Sequence, residues 1–168
     1  MKYNILITGP PASGKSTFIQ NIIKGKKAHG IFTPEIRKDG ERWGFKVVNI
    51  RTGHETIMAS VAIKPHVISK YGVNMEEFEH VAIPAIEEGI KSADSIIVID
   101  EIGNMELFSE KFKKLVMKAL DTKRVLATIS SKVKTDFAAR IRARPDIKLY
   151  YLTRANFERI AKEIKEEL

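Results

Sequence analysis

The residues "LITGPPASGKST" (6–17) lie close to the start of the 168-residue chain and continue an apolar run. They match the pattern G-x-x-x-x-G-K-[ST] in full, at Gly9, Gly14, Lys15 and Ser16. In such a loop, glycine lets the backbone turn its amides inward and approach phosphate oxygens closely. The lysine reaches the β- and γ-phosphates, and the serine hydroxyl binds Mg²⁺. The stretch therefore predicts a strand, a phosphate-binding loop and a helix that begins at Lys15.

The whole loop is expected to contact the phosphates of a nucleotide, because the new helix adds the positive end of its dipole to the inward amides. Ala12 stands where many such loops have glycine, and its β-carbon costs roughly 1 kcal/mol if φ is positive there. The predicted nucleotide-binding residues are Gly9, Pro10, Pro11, Ala12, Ser13, Gly14, Lys15, Ser16 and Thr17.

A pair of acids ends a second apolar strand, within "SIIVIDEIGNMELF" (95–108). A carboxylate at the end of such a strand can hold Mg²⁺, and we assign this role to Asp100. Successive strand residues point to opposite faces, so Glu101 is expected to act differently. A carboxylate in reach of the attacking water orients it and accepts its proton. We therefore predict Mg²⁺ as the cofactor, held by Ser16 and Asp100, with Glu101 and Lys15 as catalytic residues.

Phosphoryl transfer also requires positive charge near the γ-phosphate. Candidates for an internal arginine finger, or for a residue packed along the base, are Arg140, Arg142 and Arg144, each with a solvated surface position as the alternative. Thr128 or Ser130, at the end of the strand "RVLATIS", could sense the γ-phosphate by hydrogen bonding. The guanine-reading pattern Asn-Lys-x-Asp does not occur, so loose base selectivity is expected.

The rest of the chain predicts one α/β domain over residues 1–168. Buried-type apolar runs recur at residues 3–8, 95–100, 124–130 and 147–152. Helical patterns separate these runs, which indicates a mostly parallel sheet with helices on both faces. The segment 30–50 breaks this alternation, and its Asp39-Gly40 pair is a strong signal for a tight turn. We expect an antiparallel hairpin inserted here.

Composition narrows the class of protein. Apolar residues make up 43% and charged residues 30% of the chain, and no apolar run approaches the roughly 18 residues of a membrane helix. The lack of cysteine excludes disulfides and thiolate chemistry and fits a cytoplasmic location. The net charge of +8 fits a lysine-rich solvated surface, with nucleic acid as an alternative partner. Abundant lysine and glutamate are compatible with a thermophilic source, and we expect a monomer.

The chain resembles the small P-loop nucleoside-triphosphatases first described from thermophiles, which include the vertebrate cancer-related nucleoside-triphosphatase. The stretches that carry the resemblance are "GPPASGKST", "GIFTPEIRKDGERWGF", "VIDEIGNMELF" and "IRARPDIKLYYLT", in this order along almost the whole chain. Its most specific parts are F-T-x-E-x-R…G-x-R-x-G-F and D-E-I-G-x-M-E-L. The resemblance implies a RecA-like P-loop NTPase fold, with one strand between the strand of the loop and that of the acid pair.

The resemblance also implies slow, Mg²⁺-dependent hydrolysis of ATP, GTP and other nucleoside triphosphates to diphosphate and phosphate. By motif position it gives phosphate and metal binding to Lys15 and Ser16. It gives metal support to Asp100 and the role of base to Glu101. The family's hairpin signature falls on Glu35 and Arg37, which are expected to border the site.

Three positions depart from the family pattern. Ala12 stands in place of the usual glycine, and Asn104 in place of a common lysine. The segment "TISSK" (128–132) takes the place of a frequent Thr-[Ile/Val]-Pro, which bears on the predicted sensor. None of these departures touches the predicted catalytic and metal-binding residues.

Two other functions stay open at this stage. A small nucleotide, nucleoside or polynucleotide kinase is one, because "GPPASGKS" also resembles the loop of such kinases; a kinase needs an acceptor pocket and usually an arginine-bearing lid. A nucleotide-switched RNA-binding regulator is the other, favoured by the charge of +8 and by "KGKK". Aromatic residues are not interleaved with the basic ones, as stacking on single strands requires.

Overall fold

The computed structural model describes residues 1–168 and contains one nine-stranded sheet in the order β6-β5-β4-β2-β7-β8-β1-β9, with β3 paired to β4. The strands are β1 (Asn4–Thr8), β2 (Ala28–Phe32), β3 (Glu35–Lys38), β4 (Glu41–Asn49), β5 (Glu55–Ser60), β6 (Gly72–Val73), β7 (Ile96–Ile102), β8 (Val125–Ile129) and β9 (Ile147–Tyr151). The sheet therefore has a parallel part and an antiparallel part.

Five strands form the parallel part, in the spatial order β2, β7, β8, β1 and β9. Strand β8 lies between β1 and β7, as the resemblance implies. The carboxyl ends of parallel strands meet at one edge of the sheet, where ligands bind in folds of this class. The residues that follow β1 and those that end β7 are consequently brought to the same edge.

Helices cover both faces of the sheet, as predicted. They are α1 (Lys15–Ile23), α2 (Met75–Lys91), α3 (Glu110–Asp121), α4 (Asp136–Arg142) and α5 (Phe157–Glu167), with single 3₁₀ turns at Glu106–Phe108 and Arg154–Asn156. Helices α2, α3 and α4 share a buried core with Leu6 of β1, while α1 and α5 share another with Ile5 and Ile7. This alternation follows from the two-residue period of a strand.

Side-chain caps fix where two of the helices begin. The Asn74 side chain accepts a hydrogen bond from the Glu77 amide at 3.1 Å, and the Ser109 hydroxyl accepts one from the Phe112 amide at 3.0 Å. Each cap satisfies an amide that the helix itself leaves without a partner. These two caps fix the first turns of α2 and α3.

The predicted hairpin is confirmed, but its boundaries differ. Asp39 and Gly40 both have positive φ, 52° and 78°, and join β3 to β4 in an antiparallel pair. The residues before them, 28–32, are not part of the insertion: they form β2 of the parallel part and pair with β7. Strands β3 to β6 form a larger antiparallel extension over residues 35–73.

Strand β2 escapes detection in the sequence because "AHGIF" is not an apolar run. Gly30 has a φ of 116°, and a β-carbon there would lie 1.9 Å from the Val98 carbonyl oxygen of the neighbouring strand. Only glycine fits so close an approach between two backbones. The residue that allows this pairing is also the one that weakens the strand pattern in the sequence.

Candidate functional site

The loop between β1 and α1 adopts the predicted order of strand, turn and helix. The Lys15 ammonium donates hydrogen bonds to the carbonyls of Gly9 at 3.1 Å and Pro10 at 2.9 Å. The Ser13 amide donates to the Pro10 carbonyl, which closes the turn. Gly14, with a φ of 85°, immediately precedes the first residue of α1. The N-terminus of a helix and its lysine therefore face the same space.

A cavity of about 430 Å³ opens beside this loop. Three parts of the chain line it: the loop and the start of α1, the residues around β3 and β4, and the end of β7. Its lining residues are Pro11, Ala12, Gly14, Lys15, Ser16, Thr17, Thr33, Pro34, Glu35, Arg42, Phe45, Asp100 and Glu101. Of the predicted loop residues, Gly9 and Pro10 contribute carbonyls to Lys15, and Ser13 is buried beneath the loop.

Asp100 is buried, with 5% of its surface exposed, and its position is fixed by a neighbouring strand. The Thr128 hydroxyl of β8 donates to Asp100 Oδ1 at 2.5 Å. Burial raises the pKa of Asp100, while the hydroxyls of Ser16 and Thr128 and the charge of Lys15 oppose that rise. Thr128 is itself fully buried and does not line the cavity. Its hydroxyl is used in the hydrogen bond to Asp100.

Glu101 lines the same cavity as Asp100, and Thr33 holds the backbone between them. The Glu101 amide donates to the Thr33 hydroxyl at 3.1 Å, and that hydroxyl donates to the Asp100 carbonyl at 2.9 Å. Burial raises the pKa of Glu101, as does the charge of Asp100, and Lys15 opposes both. The pairing of β7 with β8 shifts register between Ile99 and Ile102, so regular strand alternation does not continue through the two acids.

The donors around Ser16 and Asp100 fit Mg²⁺. Both residues offer oxygen, the ligand type that this ion prefers, and both line the cavity. The protein contains no group of three or more His, Cys, Asp and Glu side chains that could hold a metal. Mg²⁺ in nucleotide sites needs no such cage, because it keeps several waters and binds substrate phosphates.

The four arginines singled out in the sequence do not line the cavity. Arg140 is exposed and has no hydrogen-bond or ion-pair partner. Arg142 donates to the carbonyls of Ser130 and Val133, both at 3.0 Å. Arg144 is bound by Asp121 and Asp146, at 2.9 and 2.8 Å. Arg142 and Arg144 are therefore bound to other parts of the fold, whereas Arg140 is not.

Arg42 is the arginine that the cavity contains, and sequence reasoning did not select it. Glu35 binds two arginines at once: Arg37 Nε lies 2.7 Å from its Oε1 and Arg42 Nε lies 2.6 Å from its Oε2. Arg37 also donates to the Gly40 carbonyl in the turn, outside the cavity. The signal was available in the signature G-x-R-x-G-F, whose arginine is Arg42.

A family model described as NTPase matches residues 4–165 of the chain. The chain belongs to the NTPase family. It is similar to the nucleoside-triphosphatase THEP1 of Thermofilum pendens, with 40% identity over 98% of this chain and 94% of that protein. Its identity with the THEP1 of Thermotoga sp. strain RQ2 is 35%, over 95% and 92% of the two chains.

The crystal structure of THEP1 from the hyperthermophile Aquifex aeolicus is similar to this NTPase-family protein, with a TM-score of 0.86. The two chains are 36% identical, and the match covers 96% of each. The predicted P-loop NTPase fold with its inserted hairpin is thereby confirmed, as is the resemblance inferred from the sequence motifs. No helix of the protein has the length and apolar character needed to span a membrane.

A third acid, Glu106, lies buried next to Glu101. A β-carbon at Gly103 would lie 2.7 Å from Glu106 Oε2 and 3.0 Å from Glu101 Oε1, so the two carboxyl groups flank the same glycine. Burial, and after it the charge of Glu101, raises the pKa of Glu106 to about 8. The raised pKa favours the neutral form of the Glu106 carboxyl, and the neutral form limits the negative charge around Glu101.

Replacing Ala12 by glycine should stabilise the protein. Ala12 has a φ of 58°, in the left-handed region that costs an L-residue about 1–2 kcal/mol and glycine almost nothing. Allowing for the greater freedom of glycine in the unfolded chain, we expect a gain of about 0.5–1 kcal/mol in the free energy of unfolding, measured by denaturant titration. The control Ala139→Gly, on the exposed face of α4, should instead lose about 1 kcal/mol. An equal loss in the free energy of unfolding for Ala12→Gly and Ala139→Gly would contradict backbone strain at Ala12.

Replacing Glu106 by glutamine should change how stability depends on pH. The native pKa of about 8 lies above the ordinary 4.5, so between these values the native protein binds one more proton than the unfolded chain. Its stability therefore falls as pH rises, by up to about 1.4 kcal/mol per pH unit, and the glutamine variant lacks this loss. Urea titrations from pH 5 to 8 should show Glu106→Gln gaining stability relative to the unsubstituted protein. The exposed control Glu158→Gln should show a constant difference; a constant difference for Glu106→Gln would refute the assigned protonation.

Proposed function

We propose that this NTPase-family protein hydrolyses nucleoside 5′-triphosphates to diphosphate and phosphate in a slow, Mg²⁺-dependent reaction with broad base specificity. The observation that carries the proposal is a single cavity lined by Lys15, Asp100, Glu101 and Arg42. It combines a phosphate-binding lysine, a carboxylate suited to a metal, a carboxylate suited to a water and a cation. The activity in the names of the THEP1 relatives supports the same reaction.

The loop and Lys15 would bind the β- and γ-phosphates, using backbone amides and the N-terminal end of α1. Ser16 and Asp100 would hold Mg²⁺, with Thr128 keeping the Asp100 carboxylate in place. When bound, the ion neutralises charge that develops on the phosphate oxygens. In this assignment Thr128 acts through Asp100, and Arg140, Arg142, Arg144 and Arg37 have no part in the chemistry.

Glu101 would orient the attacking water and accept its proton as the bond to the γ-phosphorus forms. Arg42 would stabilise the negative charge on the γ-phosphate, the role that an internal arginine finger has in related reactions. Glu35 lies beside Arg42 in the same cavity and neutralises part of its charge. This pairing supports slow turnover, because less positive charge is available to the transition state.

The lining of the cavity also supports broad base specificity. Most of its polar groups belong to the loop or to charged side chains that suit phosphates and a metal, and the chain has no guanine-reading Asn-Lys-x-Asp. Rates of phosphate release from ATP, GTP, CTP and UTP are expected to be of the same order. A cytoplasmic location and a monomeric state stay predictions from the sequence.

The decisive experiment replaces Glu101 by glutamine, which keeps the shape of the side chain but removes the base. Turnover should fall by about 10²-fold or more, while nucleotide affinity stays nearly intact. Lys15→Ala should weaken nucleotide binding as well. Phosphate release and binding of a fluorescent nucleotide would be measured in parallel.

The control for this experiment is Glu158→Gln, a change of the same chemistry at an exposed position of α5. It should leave both turnover and affinity unchanged. A Glu101→Gln variant that turns over at the unsubstituted rate would remove Glu101 from the proposed mechanism.

A further inference from the structure

One carboxylate of the cavity beside the phosphate loop has no part in the proposed chemistry. Glu35, the first residue of β3, lines this cavity together with Asp100 and Glu101. Asp100 is assigned to the metal and Glu101 to the water, so Glu35 adds a third negative charge next to a space that suits phosphates. Like charges repel, and this carboxylate opposes the binding of phosphate unless it acts on another group. The contacts of Glu35 identify that group.

Glu35 is bound by two arginines of the hairpin, one on each strand. Arg37 Nε of β3 lies 2.7 Å from Glu35 Oε1, and Arg42 Nε of β4 lies 2.6 Å from Glu35 Oε2. Burial opposes the charged form of Glu35, but the hydrogen bonds from the two arginines outweigh it and lower the pKa of the carboxyl. Each carboxylate oxygen thus binds one cation, and the two arginines share a single negative charge.

The two arginines differ in how they are held. Arg37 also donates through Nη1 to the Gly40 carbonyl at 2.8 Å, which anchors it to the turn outside the cavity. Arg42 lines the cavity, and its hydrogen bond to Glu35 uses Nε. The terminal nitrogens of its guanidinium carry further N–H donors and lie outside this bond. Arg42 is therefore the arginine of the pair that an anion in the cavity reaches.

The bond between Glu35 and Arg42 is weak enough to be exchanged for another. The Arg42 side chain is 47% exposed and that of Glu35 is 33% exposed, and ion pairs of such exposure contribute little because water screens them. A terminal phosphate carries more negative charge than a carboxylate and has more oxygens for a guanidinium. The γ-phosphate of a triphosphate bound at Lys15 therefore competes effectively with Glu35 for Arg42. A diphosphate lacks that phosphate and does not compete.

We propose that Glu35 is a positioning residue that restrains Arg42 until the γ-phosphate of a bound nucleoside triphosphate replaces it as the partner of the guanidinium, and that Arg37 weakens the restraint by sharing the carboxylate. The proposal rests on the proposed function, in which Arg42 acts on the γ-phosphate. Once the γ-phosphate has been cleaved and released, Arg42 returns to Glu35. The restraint therefore makes the site distinguish a triphosphate from its diphosphate product.

Nucleotide affinity tests the restraint without any turnover. Glu35→Gln removes the charge that competes for Arg42 but keeps the length of the side chain. The β,γ-imido analogue of ATP with Mg²⁺ should then bind about two- to fivefold more tightly, the scale expected for a partly exposed ion pair. The affinity for ADP should change by less than about twofold, because ADP has no γ-phosphate for Arg42. Both affinities would be measured by titration calorimetry.

The effect of Glu35→Gln should require Arg42. When Arg42→Met is already present, adding Glu35→Gln should leave the ratio of the two affinities unchanged, because no guanidinium remains to be released. A carboxylate that only repelled the phosphates would change the ratio equally with and without Arg42. That result would overturn the restraint.

Turnover should change in opposite directions at the two partners of Arg42. Glu35→Gln should raise kcat about two- to fivefold, since Arg42 is then free to stabilise charge in the transition state. Arg37→Met should lower kcat, because the whole carboxylate then restrains Arg42. Adding Arg37→Met to Glu35→Gln should have no further effect, since Arg37 acts through the carboxylate. An equal loss of kcat from Arg37→Met with and without Glu35 would contradict this role.

The matched control is Glu41→Gln, which removes the same charge from the same hairpin at an exposed residue outside the cavity. It should leave both affinities and kcat unchanged, which separates the restraint from a general gain of positive charge. A Glu35→Gln variant that binds the ATP analogue no more tightly than the unsubstituted protein would overturn the restraint.

This proposal and the proposed function fail in different ways. Phosphate release that depends on Glu101, together with an unchanged ratio of affinities in Glu35→Gln, would overturn the restraint and leave hydrolysis standing. No phosphate release from any nucleoside triphosphate would overturn the proposed function, whereas the two affinities would still decide whether Glu35 restrains Arg42.

Discussion

The hydrogen bond from the Thr128 hydroxyl to Asp100 is the contact on which the site depends most. It is 2.5 Å long, lies in the buried interior, and joins β8 to the end of β7. Strand β8 lies between the strand of the phosphate loop and the strand of the acids, so it sets the distance across which they face each other. A buried carboxylate requires such a partner, because an isolated charge away from water is costly. The same bond thus links two strands of the fold and fixes the Asp100 carboxylate, for which we propose metal binding.

The antiparallel extension supplies the part of the cavity wall that lies opposite the phosphate loop. Thr33, just after β2, binds both the Glu101 amide and the Asp100 carbonyl and so fixes the backbone of the acid pair. Strands β3 and β4 bring Glu35, Arg42 and Phe45 to the cavity. The insertion is therefore the part of this NTPase-family protein that supplies charge and an aromatic wall opposite the phosphate loop.

Much of the site could be predicted from the sequence because short sequence motifs determine its local structure. The glycines and lysine of the loop, the acids at the end of an apolar strand and the Asp39-Gly40 turn each depend on neighbours within a few residues. The structure confirms the strand-loop-helix order and the turn, and it brings Lys15, Asp100 and Glu101 to one cavity.

The remaining features depend on contacts between distant residues, which no local pattern reveals. Arg37 and Arg42 face each other across the hairpin, and the pairing shifts register between Ile36 and Arg37. Which of the two lines the cavity depends on that irregularity and on Glu35. Arg144 donates a hydrogen bond to Asp121, 23 residues away in the sequence. Strand β2 pairs with β7 because Gly30 allows close contact with the backbone of Val98. Tertiary partners decide these roles.

The central claim is that a water positioned by Glu101 attacks the γ-phosphorus of a nucleoside triphosphate bound at Lys15. Hydrolysis of ATP in water enriched in ¹⁸O, with the products analysed by mass spectrometry, tests it most directly. One ¹⁸O atom from the solvent should appear in the inorganic phosphate and none in the diphosphate, because the bond to the γ-phosphorus is the one formed. Incorporation of ¹⁸O into the nucleoside diphosphate would place the attack at the β-phosphorus and contradict the geometry of Lys15, Asp100 and Glu101.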